Sequence, residues 1–208
     1  MEKERFPVDD IHQFWFGECI EKPETLAAQG KLWFSVNEAV DHFIKRQFGY
    51  LFELLVRVKP KEFKSAKSVL AAIIVLDQFS RNVYRSTPKA FEYDRQALMF
   101  MDHALENGWD ARLTPMERAF MLMPLQHSES MHRQKQSIRM FKELVLVSQE
   151  PYREYLAGME KFARQHRMII QRFGRFPHRN VILGRKNDPE EDSYLSQEKQ
   201  RFGQTGKR

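Results

Sequence analysis

Three short stretches of the 208-residue chain gather side chains that can move a proton or hold an anion. They are DQFSRN at 77–82, PLQHSE at 124–129 and RFGRFPHRNVILGR at 172–185. In the first, Asp77 and Arg81 stand four apart, so on a helix they share a face and can simply pair. The same placing, at the end of the apolar run VLAAIIVL (69–76), would let the helix present Asp77, Gln78, Arg81 and Asn82 to a cavity. In the second, His127 is a candidate general base and Glu129 its proton partner. Pro124 is expected to break or kink the helix before them, and Ser128 to cap the helix after. His127 and Glu129 would then flank a helix N-terminus, where backbone N–H groups favour an anion. His-x-Glu lacks the HExxH spacing that puts two zinc ligands on one helical face, and no metal is assigned.

The third stretch is the richest. Gly174 ends a helix, Pro177 stiffens the loop, and Phe173 and Phe176 can pin it to the core. Arg172, Arg175, His178, Arg179, Asn180 and Arg185 would hang from that frame. Guanidinium forks suit bidentate contacts to phosphate or carboxylate. The plainer alternative is a structural knot, in which these arginines satisfy Asp77, Asp94, Glu129 and helix-end carbonyls.

Charge points to the same segment. The net charge is +6, and residues 163–208 hold 11 Lys+Arg against 5 Asp+Glu, while residues 1–162 balance. Residues 164–187 carry seven cations and no acid, a local field that attracts anions.

The elements that must position these groups are helical. Apolar spacing predicts helices near 8–16, 35–58, 65–79, 88–107, 115–123, 130–148, 151–173 and 189–202. Starts are marked by Thr87-Pro88, by Thr114-Pro115-Met116-Glu117 and by Asp188-Pro189-Glu190-Glu191; ends are marked by Asn107-Gly108 and Gly174. Three helices put a polar residue on the inward stripe: His166 after Tyr155, Met159 and Phe162; Asp94 between Phe91 and Leu98; and Asp77 below Leu70 and Ile73. A buried unpaired carboxylate costs several kcal/mol, so each acid needs a partner, and the arginines after residue 170 are the candidates. The fold expected is all-α, built of antiparallel helical hairpins, about eight helices in one domain, with a frayed polar tail at 199–208. No repeat stands out at about 34 residues.

Composition bounds the rest. Apolar residues make up 42%, aromatics 12% and charges 30%, an ordinary globular balance. No run approaches the ~20 apolar residues of a membrane span, so no membrane association is expected. The single cysteine, Cys19, excludes an internal disulfide, and a cytoplasmic location is expected.

The ordered motifs LDQFSRNVYR, TPKAFEYD, LMPLQHSES, RFGRFPHRNVILGR and DPEEDSYL, with WFGE and LWF near the start, resemble a bacterial family known as domain of unknown function nine-two-four. The resemblance spans about 8–195 and implies an all-α fold similar to tetratricopeptide-type proteins. It supplies no activity. Its motif positions fall on Asp77, Gln78, Arg81, Asn82, Asp94, Arg118, His127, Ser128, Glu129, His166, Arg172, Arg175, His178, Arg179, Asn180 and Arg185.

The leading functional expectation is a half-buried pocket for a small anionic ligand bearing phosphate or carboxylate. Acid–base roles would fall to His127, Glu129, His178 and Asp77. Ligand contacts would fall to Arg81, Asn82, Gln78, Arg172, Arg175, Arg179, Asn180, Arg185 and His166. No cofactor is specified. A peptide- or protein-binding groove is the alternative. Nucleic-acid binding is disfavoured, because the basic stripe lies on the inward side of a helix.

Overall fold

The computed structural model describes residues 6–197, and within them every regular element is helical. The α-helices are α1 (Val8–Phe16), α2 (Leu26–Phe34), α3 (Glu38–Phe48), α4 (Leu51–Val56), α5 (Ala66–Ile73), α6 (Ser80–Val83), α7 (Asp94–Glu106), α8 (Pro115–His127), α9 (Met131–Val147), α10 (Tyr152–Phe173) and α11 (Pro189–Gln197). A π-helix, Ile74–Phe79, joins α5 to α6. The tail expected to fray, 199–208, lies outside the described residues.

The apolar run forms the centre. Every side chain from Val69 to Leu76 is fully buried. Helices α1, α7 and α8 pack on α5, while α3 and α4 pack on the π-helix. Helices α8, α9 and α10 follow one another as hairpins, joined by short turns. Aromatic edges lock α1, α2, the π-helix and α8 together: Trp15 packs on Phe79 and Phe120, and Trp33 lies 4.6 Å from Phe120, centroid to centroid. The Trp33 indole donates to the Trp15 carbonyl at 2.7 Å.

Several boundaries differ from those read in the sequence, each for a local reason. The helix expected over 35–58 is two, because the chain breaks at Gly49-Tyr50; Asn37 caps the first by accepting from the Ala39 and Val40 N–H groups. Helix α2 was not expected. Its short LAAQGKLWF stripe is amphipathic only once Trp33 has α1 to lie on. Residues 88–91 make a 3-10 turn, and the α-helix begins at Asp94. The Thr87 hydroxyl does not cap it but donates back to the Tyr84 carbonyl. Pro124 does not end its helix: α8 runs through it to His127, since the missing N–H costs one bond and buried neighbours hold the rest.

Two expected capping boxes form. The Thr114 N–H donates to Glu117 at 2.9 Å, and the Asp188 N–H and the Glu191 side chain meet at 2.9 Å with the return bond at 2.8 Å. Gly174 closes α10 in the left-handed region, φ 68°, with its N–H on the Ile170 carbonyl. Space around a Cβ there is open, so Gly174→Ala carries only backbone strain. It is expected to lower the unfolding free energy by about 1 kcal/mol, measured by urea denaturation; an unchanged or raised stability would contradict the left-handed cap.

Candidate functional site

The widened π turn delivers Asp77 and Gln78 into the core side by side, and π-helical turns are frequent at functional positions. Asp77 is fully buried. One oxygen meets His127 Nδ1 at 2.7 Å and Arg81 at 3.3 Å; the other accepts from the Gln78 amide. Burial pushes the Asp77 carboxyl up, yet His127, Arg81 and the hydrogen bonds outweigh it and hold the group below the usual carboxylate value. An ionised carboxylate only accepts, so His127 Nδ1 carries the proton facing it. Burial, and then the Arg81 charge, hold the His127 imidazole below its ordinary pKa despite Asp77, leaving it neutral at neutral pH.

Asp94, at the first turn of α7, binds both Arg81 (2.9 Å) and Arg179 (3.1 Å). Arg179 also donates to the His127 carbonyl at 2.9 Å, closing the C-terminus of α8. Its guanidinium lies between the Phe91 and Phe176 rings, 4.5 and 4.6 Å from their centroids. Arg81, Arg179, Asp77 and Asp94 thus form one inner cluster drawn from four segments. Its Arg81–Asp77 pairing is the four-residue spacing read from the sequence, and Arg179–Asp94 joins residues that the sequence singled out separately.

Other candidates form an outer layer. The carboxylate that meets His127 is Asp77, not Glu129. Glu129 instead takes Arg185 at 2.8 and 3.0 Å and the Phe176 N–H at 2.8 Å, tying the 174–185 loop to the turn after α8. Arg175 forks onto Glu191, which also accepts from Asn180, and Arg172 pairs with Glu190 near the surface. The expected anion site at a helix N-terminus is not formed either. His127 ends α8, and α9 begins only at Met131. The local backbone presents carbonyls there, and the buried Gln134 amide binds those of Gln126 (2.8 Å) and Ser128 (2.7 Å).

A cavity of about 940 Å³ opens beside the inner cluster. Gln78, Arg81, Asn82, His127, His166, His178 and Arg179 line it; Asp77, expected at the wall, is buried behind His127 and Arg81, and Arg172, Arg175, Asn180, Arg185 and Glu129 do not line it either. The ring centroids of His127 and His166 lie 6.4 Å apart, and His178 sits 5.4 Å from Phe176. The remaining wall is mostly apolar and aromatic, with Trp33, Phe34, Met159 and Phe162. Phe162, expected inward, is 45% exposed because it stands at the cavity's edge rather than in the core.

Sequence reasoning missed Gln126 and the Arg85–Asp41 pair, all close to the cavity. Asp41 takes Arg85 at 2.8 Å and the Asn82 amide at 2.7 Å. Arg85 extends the 77, 81 spacing by one more turn, a signal that was legible. Gln126 stands next to His127 at the end of the apolar stretch 119–125. Among the described residues its buried Nε2 donor has no partner, and neither does the Arg179 Nε.

The family model described as "bacterial protein of unknown function (DUF924)" matches residues 11–199. A solved structure of a protein of unknown function from Agrobacterium tumefaciens is similar, with TM-score 0.72 and 31% identity, covering 92% of this chain and 97% of that one. No curated protein matches the chain.

Two expectations follow from this geometry. Asp77→Ala strands His127 and part of Arg81 and is expected to cost about 3–5 kcal/mol; a loss below about 1 kcal/mol, measured by urea unfolding, would mean that Asp77 is not the keystone. The second concerns pH. Burial, with the Arg179 and Arg185 charges, lowers His178 to about 3, whereas an unfolded histidine titrates near ~6.5. Below that value the unfolded chain takes a proton that the folded chain refuses. Stability is therefore intact above about pH 6.5 and falls as pH drops, by up to about 1.4 kcal/mol per unit from His178 alone. Equal unfolding free energies at about pH 7 and pH 5 would contradict it.

Proposed function

The chain belongs to the DUF924 family of bacterial proteins of unknown function, and from its own side chains we propose that it binds a small organic anion in this cavity. The Asp77–His127 pair is arranged to exchange a proton with the bound molecule. Supporting this above all are the two buried donors, Gln126 Nε2 and Arg179 Nε, on residues only 2% and 6% exposed that both line the cavity. An unpartnered buried donor costs about 1–3 kcal/mol; neither atom is itself accessible, so an acceptor on a ligand would recover that cost once the side chain turns toward the cavity.

The charge balance narrows the ligand. Arg81, Arg85 and Arg179 are matched by Asp77, Asp94 and Asp41. With the histidines neutral the site has no surplus positive charge, so a single negative charge is favoured over two. That fits a carboxylate better than a phosphate dianion. The apolar wall suits an organic body behind the head. Asp77 fixes the Nδ1–H tautomer of His127 and leaves Nε2 as the proton acceptor, the arrangement of a general base. The same pairing argues against nucleic acid. Backbone phosphates need exposed, available cations, and Arg172, Arg175, Arg179 and Arg185 each hold a carboxylate of the chain.

The test is calorimetric titration with arylalkyl carboxylates, alkanoates and the matching phosphate monoesters. Carboxylates are expected to bind, with proton uptake as a histidine charges beside the new anion, so affinity rises as pH falls from about 8 toward 6. Saturation at about 100 times Kd should add ~2.7 kcal/mol to stability. Gln126→Met removes the orphan donor at similar volume, together with the Oε1 contact to His166 Nδ1 at 3.3 Å; it should change stability by less than about 1 kcal/mol while weakening binding about tenfold. No binding by any probe, or undiminished binding by Gln126→Met, would overturn the reading.

A further inference from the structure

We propose that the ligand is bifunctional, carrying a cationic group, an amine or guanidinium, at the end of its apolar body remote from the anionic head. This rests on the anion-binding reading above. The cavity wall is not of one sign. Its arginines and histidines come from α6 and the turn after it, α8, His166 late in α10 and the 174–185 loop, whereas two carboxylates, Glu24 and Glu154, come from the turn before α2 and the start of α10. Glu24 sits in the 3-10 turn Pro23–Thr25, and Glu154 in the first turn of α10.

Both are exposed, and among the described residues neither side chain makes a hydrogen bond or a close ion pair; the Lys22 ammonium, bonded to Glu18 at 2.9 Å, only feels the Glu24 charge. That sets them apart from the acids of the inner and outer clusters, all of which are engaged. A helix dipole favours an acid in the first turn of α10, which accounts for Glu154 being acidic. Glu24 stands likewise at the helical entry to α2; the dipole does not account for both lining a cavity whose other wall is built of arginines. The buried Gln126 donor in that other wall is the independent sign that a molecule enters.

Aromatic rings accompany the two carboxylates. Trp33, Phe34, Tyr155 and Phe162 line the same cavity, and Phe34 and Phe162 are 52% and 45% exposed. Burial pushes the Tyr155 phenol up to about 12, so it stays neutral and offers a ring face rather than a charge. A cation beside carboxylates and ring faces is held by Coulomb attraction and by the ring quadrupoles together. The head would bind where the chain's donors lie unpartnered, the apolar body along Met159, and the cation at the acidic rim.

The experiment compares water-soluble ω-aminoalkanoates with alkanoates of the same length, across a ladder of chain lengths, by calorimetric titration at low salt. At the best length the amino compound is expected to bind about three- to tenfold tighter. That advantage should shrink in salt and vanish in the Glu24→Gln, Glu154→Gln double variant, which should still bind the plain alkanoate as well as before. If the plain alkanoate binds as tightly as its amino partner at every length, or if the preference survives in the double variant, the bifunctional ligand is wrong while the anion site stands. If neither probe binds, both proposals fall.

Discussion

A carboxylate with no access to water sits at the end of the most apolar segment of this chain, and the arrangement around it answers that constraint. Isolated, the ionised Asp77 would be untenable in such surroundings. It is instead held by an imidazole, a guanidinium and an amide, from α8, α6 and the neighbouring residue. Each partner brings an element with it. His127 requires α8 to run on past Pro124, and Arg81 requires the chain to stay helical beyond the π turn. Arg81 in turn needs Asp94 as a second carboxylate, which fixes where α7 begins.

The outer layer serves the inner one. Arg179 can meet Asp94 and the His127 carbonyl only if the loop after Gly174 returns across the end of α8. Glu129 ties that loop through Arg185 and the Phe176 amide, and Glu191 ties it through Arg175 and Asn180. Four of the seven cations at 164–187, Arg172, Arg175, Arg179 and Arg185, are therefore committed to carboxylates of the chain, and of these only Arg179 lines the cavity. The wall keeps a neutral, oriented histidine and two unpartnered donors, a combination suited to a weakly charged organic guest more than to a polyanion.

Much of this was legible from residue spacing. The inward placing of Asp77 and His166, the left-handed Gly174 and the box at Asp188–Glu191 all follow from helical period and capping chemistry. So did the partnership of late arginines with early acids, although not which arginine met which acid. Arg175 and Glu129 looked like site residues because their types suit one, and type alone cannot show that Glu191 and Arg185 reach them first. The cavity's apolar wall was hidden for a different reason. Met159 and Phe162 read as core, and only the packing of α2 against α10 reveals that they border a space. The missed helix α2 and the split at Gly49 belong to the same class, being decided by tertiary contact rather than local pattern.

The central claim is that Asp77 holds His127 as a neutral imidazole with its proton on Nδ1. Nitrogen-15 NMR of the histidine rings, assigned by comparison with His127→Gln, tests it most directly. At neutral pH the account predicts a His127 spectrum of the Nδ1–H tautomer, with an unprotonated Nε2. A cationic ring, or the Nε2–H tautomer, would contradict it.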